Sequence, residues 1–489
     1  MRLFHFVGTR GSAVALGLVL LAVVVMLRPA PPLNLIVVTL DTTRADRISA
    51  YGDARAAATP ALDRLAREGA LFEDATSPVP LTLPAHCTLF TGRLPPAHRV
   101  RDNADQLGLA TPTLASTLHA RGYRTGAFLG SLVLARSHGL YLGFENYDDH
   151  IPWGGPSSPR PRRRADVVVD RALGWLDTVK GSPFFVWLHF YDAHLPYDAM
   201  PPFDRAYSGR PYEGAVASVD AQIGRLRAFL DQHNLTRHTV IVVIGDHGEG
   251  LGDHGELTHG LFVYQSVLRV PFIIRVPKMA PAGQRIRTAV SSADLTPTVL
   301  DLLGVDPPGD LDGRSLRPLL RRPGRETAAD VYAENLYLQR RFKWSEMQAI
   351  RSGSLKLIDK ARPELYDLDR DPGESHDLSS ERPDVVARLA RRLRTWQDRL
   401  SAGAPPEKAP SGQVAADIRA QLLALGYVSD AAVTNGRADP VSGADPRDRV
   451  ALFNRMMTSE TGPLLADDEA NVRPATATGM AAEQRRSGP

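Results

Sequence analysis

The sequence predicts an α/β protein in which a mostly parallel sheet lies between layers of helices, with a small α+β subdomain on the C-terminal side. Three observations support this fold class. The composition is ordinary for a globular chain, with 489 residues, 43% hydrophobic and 23% charged. Short apolar runs rich in β-branched residues alternate with helical patterns. From about residue 325 the pattern changes to short strand-like segments.

A targeting segment is predicted over residues 1–32. Two arginines precede an uninterrupted apolar run over residues 12–27, and Arg28 follows it. This pattern is typical of a signal anchor or a cleaved signal peptide, and we favour the anchor because no small-residue cleavage site follows the run. The expected location is the cell envelope, with the chain anchored in the inner membrane and the bulk of it exported to the periplasmic, extracytoplasmic side.

Residues 33–324 are predicted to form one large α/β domain. Buried strands are expected at 35–40, 125–129, 184–190 and 239–244. Periodic apolar patterns predict helices at 60–68, 112–121, 164–178 and 216–233.

The C-terminal part is predicted to contain a subdomain and a tail. Residues 325–401 contain short strand-like segments followed by a helix near 383–399. Residues 402–489 are expected to form a linker rich in Pro, Ala and Gly, short helices near 416–425 and 445–457, and a disordered end.

Charge and cysteine content exclude several classes of protein. The formal net charge is +3, from 58 basic and 55 acidic residues, and this near balance argues against a nucleic-acid partner. Cys87 is the single cysteine, so no internal disulfide and no cysteine-cluster metal site can form. We expect Cys87 to pack inside the protein. The sequence leaves the oligomeric state unknown.

Acidic and imidazole side chains follow three of the predicted strands. They are Asp41 after the first, His189, Asp192 and His194 at the end of the third, and Asp246 and His247 after the fourth, with Glu249, Asp253, His254 and His259 further along. Ligands bind at the carboxyl ends of strands in such sheets, so we expect a site for a divalent metal ion there. Oxygen and imidazole donors fit Ca, Mg, Mn or Zn and do not distinguish among them. We interpret His189 as a core histidine, and Glu249, Asp253 and His254 as loop residues that shape the mouth of the site.

Thr82 is the candidate nucleophile. It lies two residues before Pro84, a residue favoured in the first turn of a helix. Backbone N–H groups at a helix N-terminus favour a bound anion. A hydroxyl needs help to attack, and a metal held by Asp41, Asp246 and His247 would supply it. The alternative interpretation is that Thr82 is simply the N-cap.

The motifs carry a resemblance to the sulfatase family of the alkaline phosphatase superfamily. NLIVVTLDTTRADRISAYG is similar to the family's N-terminal metal motif, and SPVPLTLPAHCTLFTGRLPP looks like its active-site signature. FVWLHFYDAHLPY, IGDHGEGLGDHGELTHG and SVLRVPFIIR continue in the family's order, and PELYDLDRDPGESHDL resembles its C-terminal subdomain. The resemblance covers residues 34–400. It implies an alkaline-phosphatase/sulfatase-like fold with a catalytic domain over 33–324 and a sulfatase C-terminal subdomain over 325–401.

Departures from the formylglycine sulfatases indicate a different nucleophile. Their signature has Cys or Ser where this chain has Thr82, and Arg where it has His86. The second metal aspartate corresponds to Thr42, and a sulfate-contacting lysine corresponds to His259. Cys87 is out of register with the signature and should not be converted to formylglycine. With a threonine at the nucleophile position, the chain resembles the phosphodiesterases and phosphoethanolamine transferases of the superfamily.

Carried over from those relatives, the resemblance assigns roles to individual residues. The metal ligands would be Asp41, Thr82, Asp246 and His247. Asn103 would hold a phosphoryl oxygen, although a turn role for it is equally compatible with the sequence. The catalytic candidates are Thr82, His194, His259 and His86, and the substrate-binding candidates are Asn103, His194 and His259. An alternative places a second metal on Asp192, His194 and His259.

The expected activity is that of a metal-dependent hydrolase or transferase of phosphate or sulfate esters, in which Thr82 forms a covalent ester intermediate. Two alternatives stay open: a sulfuric ester hydrolase similar to arylsulfatases or choline sulfatases, and a non-catalytic binding protein on a sulfatase fold. The substrate would be a small-molecule, lipid-headgroup or glycan ester, with membrane contact through the N-terminal segment.

Overall fold

The computed structural model describes residues 32–152, 161–279, 281–322, 329–402, 416 and 443–459. The chain divides into two units, Met1–Leu33 and Asn34–Pro489, and the fold below belongs to the second. The predicted anchor, apart from its last residue, lies outside the described residues, as do most of the predicted linker and tail. Within the described ranges, no helix combines the length and apolarity that crossing a bilayer requires.

A nine-stranded sheet forms the centre of the protein. Its strands in chain order are β1 (Asn34–Leu40), β2 (Ala70–Thr76), β3 (Arg124–Phe128), β4 (Asn146–Asp148), β5 (Phe184–Phe190), β6 (Thr239–Gly245), β7 (Arg269–Arg275), β8 (Gln284–Ile286) and β9 (Val290–Ser291). The spatial order is β4-β3-β5-β1-β6-β7-β2-β8, with β9 also paired to β2. β7 pairs antiparallel with both neighbours and the other pairs are parallel. The predicted mostly parallel sheet is therefore confirmed.

Helices pack on both faces of this sheet. In chain order, the α-helices of the described ranges are α1 (Pro60–Glu68), α2 (Thr82–Thr91), α3 (Pro95–His98), α4 (Leu114–Ala120), α5 (Ala165–Val179), α6 (Phe203–Ala206), α7 (Pro211–Gln232), α8 (Gln265–Leu268), α9 (Leu295–Leu303), α10 (Arg317–Arg321), α11 (Tyr337–Phe342), α12 (Pro383–Ser401) and α13 (Val450–Ser459).

Successive residues of β1 face two different layers, because side chains alternate along a strand. Ile36, Val38 and Leu40 pack into one core together with α1, α5 and α7. Thr39 points to the opposite face, where its hydroxyl lies 3.0 Å from the His86 Nε2 of α2. Burial on both faces explains why the predicted strands appear in the sequence as continuous apolar runs.

The sequence patterns locate four strands of the large sheet and miss the other five, of which β2 and β7 are the longest. Three of the four strands predicted are within one residue of β1, β3 and β6, and the fourth coincides with β5. β2 and β7 were not predicted as strands. β2 contains two acids, and β7 contains Pro271, which interrupts a ladder. The pairing of β2 with β7 accommodates that proline with a register shift between Phe72 and Ala75.

A second, four-stranded antiparallel sheet forms the C-terminal subdomain, as predicted. It comprises β10 (Val331–Asn335), β11 (Met347–Ser352), β12 (Leu355–Asp359) and β13 (Glu364–Asp367). α12 packs into a core with this sheet through Val385, Leu389 and Leu393. α13 joins a different core that includes Met347 and Ile358 through Phe453. The exact domain boundaries at 324/325 and 401/402 stay predictions.

Substitution of Trp187 tests how much the side chains packed between α2 and the large sheet contribute to stability. It is fully buried in β5, its indole N–H donates to Thr39 Oγ1 at 2.9 Å, and its ring centroid lies 4.5 Å from that of Phe90. We expect Trp187→Ala to lower the free energy of unfolding in urea by about 3–5 kcal/mol, because it leaves a large cavity. Trp396→Ala, at a half-buried tryptophan of α12, should cost clearly less. Equal losses would contradict this assignment of the core.

Candidate active site

The carboxyl ends of three adjacent strands bring the predicted acids together. β1 lies between β5 and β6, and Thr39 is in register with both His189 and Ile244. The backbone pairing continues beyond the strands: the Asp41 N–H donates to Phe190 O at 2.9 Å, and the Asp246 N–H donates to Leu40 O at 3.3 Å. Asp41 and Asp246 therefore emerge side by side at the edge where such sheets bind ligands.

Both acids point toward the face that α2 covers. Asp41 lies two residues after Thr39, so its side chain points to the same face of the sheet. On that face Thr39 bonds His86 of α2. On β6, Ile241 and Val243 face the opposite core, which leaves Asp246 on the α2 side. His189 of β5 lies on this side as well, with its Nε2 atom 3.1 Å from Asp41 Oδ2.

Thr82 is the first residue of α2, and its hydroxyl is directed at the acids' side of the site. The N-cap is Leu81, which makes no side-chain capping bond. Asn103 supplies the cap instead, because its Oδ1 accepts from the Leu83 N–H at 3.0 Å. The interpretation of Thr82 as the N-cap is therefore wrong. Its Oγ1 lies 3.4 Å from His247 Nε2, and Thr82 is 1% exposed.

Hydrogen bonds orient Asp246 and His247 toward a common space. Asp246 Oδ1 accepts from the N–H groups of Thr42 at 3.2 Å and of His247 at 2.7 Å. His247 Nδ1 lies 3.0 Å from Gly248 O. Because the carbonyl can only accept, Nδ1 carries the proton and the Nε2 lone pair faces Thr82. Thr42 itself turns away and donates to Ala193 O at 2.7 Å.

Burial dominates the electrostatics of the site. Asp41 and Asp246 are fully buried, and burial raises the pKa of each well above the usual aspartate range. The Glu249 carboxylate raises the pKa of Asp41 further, and Asp41 does the same to that of Asp246. Burial lowers the pKa of His247 far below the usual range, so this imidazole is neutral and suited to bind a metal. Two close carboxylates in a dry space call for a cation.

Asp41, Asp246 and His247 fit a divalent metal ion. Their ligand atoms all lie within 4.8 Å of one another. Asp41 Oδ1 and Asp246 Oδ2 are buried and have no hydrogen-bond partner, which costs free energy unless a ligand engages them. A second geometric group, His86, His189 and Asp246, shares one acid with the first. Both ring nitrogens of His86 are already engaged, which favours the first group.

Two further histidines line the space beside His247. The His259 ring lies 4.6 Å from that of His247 and 5.0 Å from that of His194, between centroids. His194 stacks on Tyr191, and its Nδ1 lies 2.8 Å from Leu195 O. His259 Nδ1 lies 3.0 Å from Glu249 Oε1, while its Nε2 is buried without a hydrogen-bond partner. Burial lowers the pKa of His259 to about 4.

The structure corrects two of the predicted roles. Asp192 accepts from the Ala165 N–H at 3.0 and 3.2 Å through its two oxygens and so caps α5. Among the described residues, Asp192, His194 and His259 are not grouped at ligand spacing, so this geometry does not support the second-metal alternative. His86 has Thr82 O 2.8 Å from Nδ1 and Thr39 Oγ1 3.0 Å from Nε2. It fastens α2 to β1, and neither nitrogen is left for the catalytic role predicted for it.

Sequence reasoning missed His189 and Glu249. His189 was interpreted as a core residue, yet it contacts Asp41. Glu249 was interpreted as a residue of the mouth, yet it is fully buried and bonds His259. The alternation of side chains along β5 could have indicated the position of His189, because it places His189 on the same face of the sheet as Trp187. No local pattern marks Glu249, whose partner lies ten residues further along the chain.

The fold and the site together define an alkaline-phosphatase-like enzyme of the sulfatase type. The sulfatase family profile matches residues 33–305, and the profile described as "N-sulphoglucosamine sulphohydrolase, C-terminal" matches residues 252–399. The first match covers more than half of the 489 residues. The chain therefore belongs to the sulfatase family, which confirms the predicted superfamily and the prediction of an ester hydrolase. Enzymes of this family generally bind a divalent metal.

Individual relatives are similar over most of the chain. Steryl-sulfatase of Mus musculus is 26% identical, and the match covers 76% of this chain and 84% of that protein. N-acetylglucosamine-6-O-sulfatase of Bacteroides thetaiotaomicron is 23% identical, covering 71% of this chain and 82% of that protein. The crystal structure of the phosphonate monoester hydrolase of Agrobacterium radiobacter superimposes with a TM-score of 0.65 at 23% identity, covering 75% of this chain and 96% of that one. This last likeness confirms the fold.

Removing and restoring the metal tests the ligand set. A ligand present at 100 times its dissociation constant stabilises the folded state by about 2.7 kcal/mol. We expect Mn²⁺, Zn²⁺, Ca²⁺ or Mg²⁺ to raise the thermal unfolding midpoint of chelator-treated protein, and Asp246→Asn to abolish this rise.

Asp220→Asn is the matched control, since Asp220 is also a buried aspartate but accepts from the N–H groups of Ala61 and Leu62 at the start of α1. The control should keep the metal-dependent rise. A rise that persists in Asp246→Asn would contradict the ligand set.

Proposed function

We propose that this protein is a metal-dependent hydrolase of phosphate esters in which Thr82 is the nucleophile. The observation that supports this most directly is the position of the Thr82 hydroxyl. It lies at the N-terminus of α2, 3.4 Å from His247 Nε2, on the face of the sheet where Asp41 and Asp246 emerge. A helix N-terminus favours the anionic group of the substrate, and the hydroxyl stands where an ester phosphorus would be presented to it.

The first step transfers the phosphoryl group to the protein. Thr82 Oγ, having given its proton to water, attacks phosphorus in line with the ester oxygen. The bond from phosphorus to that oxygen breaks, and the imidazolium form of His194 or His259 gives the departing alcohol a proton. For His259 this is the minor form at neutral pH, because burial lowers its pKa to about 4. The product of this step is phospho-Thr82. A divalent ion on Asp41, Thr82, Asp246 and His247 would stabilise negative charge on the attacking and nonbridging oxygens.

The second step restores the enzyme. The same histidine takes a proton from water, and the resulting hydroxide attacks phosphorus. The bond between phosphorus and Thr82 Oγ breaks, Thr82 regains its proton from solvent, and inorganic phosphate leaves. An alcohol in place of water would make the protein a transferase, by the same exchange of bonds.

Asn103 has the geometry for a substrate contact. Its Oδ1 is held by the Leu83 N–H, so the other end of the amide is fixed in direction. Asn103 Nδ2 is buried and has no hydrogen-bond partner. Asn103 Nδ2 therefore lies close to the start of α2, next to Leu83. Such a donor is suited to hydrogen-bond a nonbridging oxygen of the transferred group.

Sulfate esters are the second candidate substrate class. The observation that favours them is the similarity to proteins named steryl-sulfatase and N-acetylglucosamine-6-O-sulfatase. The identity of position 82 argues for phosphate. In formylglycine enzymes the hydrate expels sulfate by breaking its own C–O bond, whereas a threonine sulfate requires water to attack sulfur. In either case the substrate would be a small-molecule, lipid-headgroup or glycan ester, met at the cell envelope if the predicted anchor operates.

Substitution of Thr82 tests the nucleophile. We expect Thr82→Ala to lower kcat by at least about 10³-fold, because the substitution removes the attacking oxygen. Thr82→Ser, which keeps a hydroxyl, should retain measurable turnover. Thr91→Ala is the matched control, since Thr91 is another buried threonine of α2 whose hydroxyl donates to Cys87 O at 2.6 Å. Full activity of Thr82→Ala would refute the mechanism.

The trapped intermediate distinguishes the substrate classes. The metal-loaded protein is mixed with 4-nitrophenyl phosphate, bis(4-nitrophenyl) phosphate or 4-nitrophenyl sulfate, quenched in acid, and the Thr82 peptide is weighed. We expect a phosphate on Thr82 with a phosphate ester. A sulfate on Thr82, seen only with the sulfate ester, would instead support the second candidate. An unmodified peptide in every case, despite turnover, would contradict covalent catalysis.

A further inference from the structure

His259 is carried by a hairpin-like loop with two arms. The first arm is Glu249–Gly252 and the second is Glu256–His259. The N–H groups of Gly250, Leu251 and Gly252 donate to the carbonyls of Thr258, Leu257 and Glu256, at 2.6, 3.2 and 2.8 Å. The arms approach so closely at Gly250 that a Cβ there would lie 2.2 Å from Glu256 O. Glu249 and His259, at the bases of the two arms, bond each other inside the site.

Arg44 holds the first arm from within the main domain. Its guanidinium Nη1 donates to Glu249 O at 3.2 Å and to Gly250 O at 3.1 Å. The same guanidinium is paired with Asp46 at 2.8 Å and with Asp253 at 2.8 Å, and Arg44 is 6% exposed. The first arm is therefore fixed to the segment that follows β1 and carries Asp41.

The second arm is held by a residue from far along the chain. Asn454 Oδ1 accepts from the Leu257 N–H at 3.2 Å, and Asn454 Nδ2 donates to Gly255 O at 2.7 Å. The amide thus pairs with the outward-facing edge of the loop as an additional strand would. A Cβ at Gly255 would lie 3.1 Å from Val450 Cγ1, which shows how closely α13 sits on the loop.

Independent contacts fasten the segment that bears Asn454. Phe453 is fully buried in a core shared with the small sheet. Asp445 pairs with the buried Lys360 at 2.8 Å, and Arg447 pairs with Glu364 at 2.6 Å. Segment 443–459 is therefore anchored to β12, β13 and their surroundings, and Asn454 extends from an anchored support to the loop.

We infer that Asn454 is a positioning residue for the reaction, because it fixes the arm that places the His259 imidazole beside His247, with 4.6 Å between the ring centroids. The inference rests on the proposed function, since it assigns His259 a task there. The effect of Asn454 passes through Leu257 and Thr258 to His259, and small errors in such placement cost much of the rate.

The experiment is a double-mutant cycle between Asn454 and His259. Asn454→Leu has a similar volume and removes both hydrogen bonds. With metal-loaded full-length protein and 4-nitrophenyl phosphate, we expect Asn454→Leu to lower kcat by about 10- to 100-fold, with a much smaller change in KM. In a His259→Ala background the same substitution should lower kcat less than twofold, because no imidazole is left to position. Arg455→Gln, at the exposed neighbour on α13, is the matched control and should leave kcat unchanged.

Hydrogen–deuterium exchange supplies a readout that does not require turnover. We expect Asn454→Leu to speed exchange in the peptide that covers residues 250–260 at least about tenfold, and Arg455→Gln to leave it unchanged. Unchanged exchange in Asn454→Leu overturns the inference. So does an equal loss of kcat in both backgrounds, which would show that Asn454 acts elsewhere. Faster exchange in a protein whose wild type turns over no phosphate or sulfate ester would support the loop contact and overturn the proposed function instead.

Discussion

Two aspartates, Asp41 and Asp246, lie fully buried beside each other, and this constraint shapes everything around them. Parallel pairing of β1 with β6 makes their proximity unavoidable, because both strands end at the same edge. Each carboxylate keeps one oxygen without a hydrogen-bond partner. A chain that held only these groups would gain stability by replacing one of them. The arrangement has a physical purpose if a cation occupies the space between them.

Other groups of the site hold the acids in place. The N–H groups of Thr42 and His247 fix one oxygen of Asp246, and His189 fixes one oxygen of Asp41. His86 ties α2 to β1, so that Thr82 stays at the helix N-terminus facing these acids. None of these contacts takes part in the reaction itself. They set the distances on which a nucleophile and a metal depend.

The sequence was most informative about features that depend on a single local constraint, such as the burial of a strand on both faces. Burial on both faces makes β1, β5 and β6 continuous apolar runs, so their ends, and with them Asp41, Asp246 and His247, could be located. The motif order then placed Thr82. Contacts between distant segments were not accessible in this way. Asp192 looked like a ligand because it follows β5, yet the N-terminus of α5 captures its carboxylate. His86 and Glu249 acquire their roles from partners that lie 47 and 10 residues away.

The attachment of α13 to the loop has a consequence for how the protein matures during synthesis. Every group proposed to act in the chemistry, from Asp41 to His259, leaves the ribosome long before Asn454 does. The nascent chain can therefore assemble the large sheet and both layers of helices while its second loop arm still lacks the contact with Asn454. Completion of the active geometry is delayed until synthesis has passed Asn454. A prematurely terminated product would carry a full set of reactive side chains without the last contact that orders them.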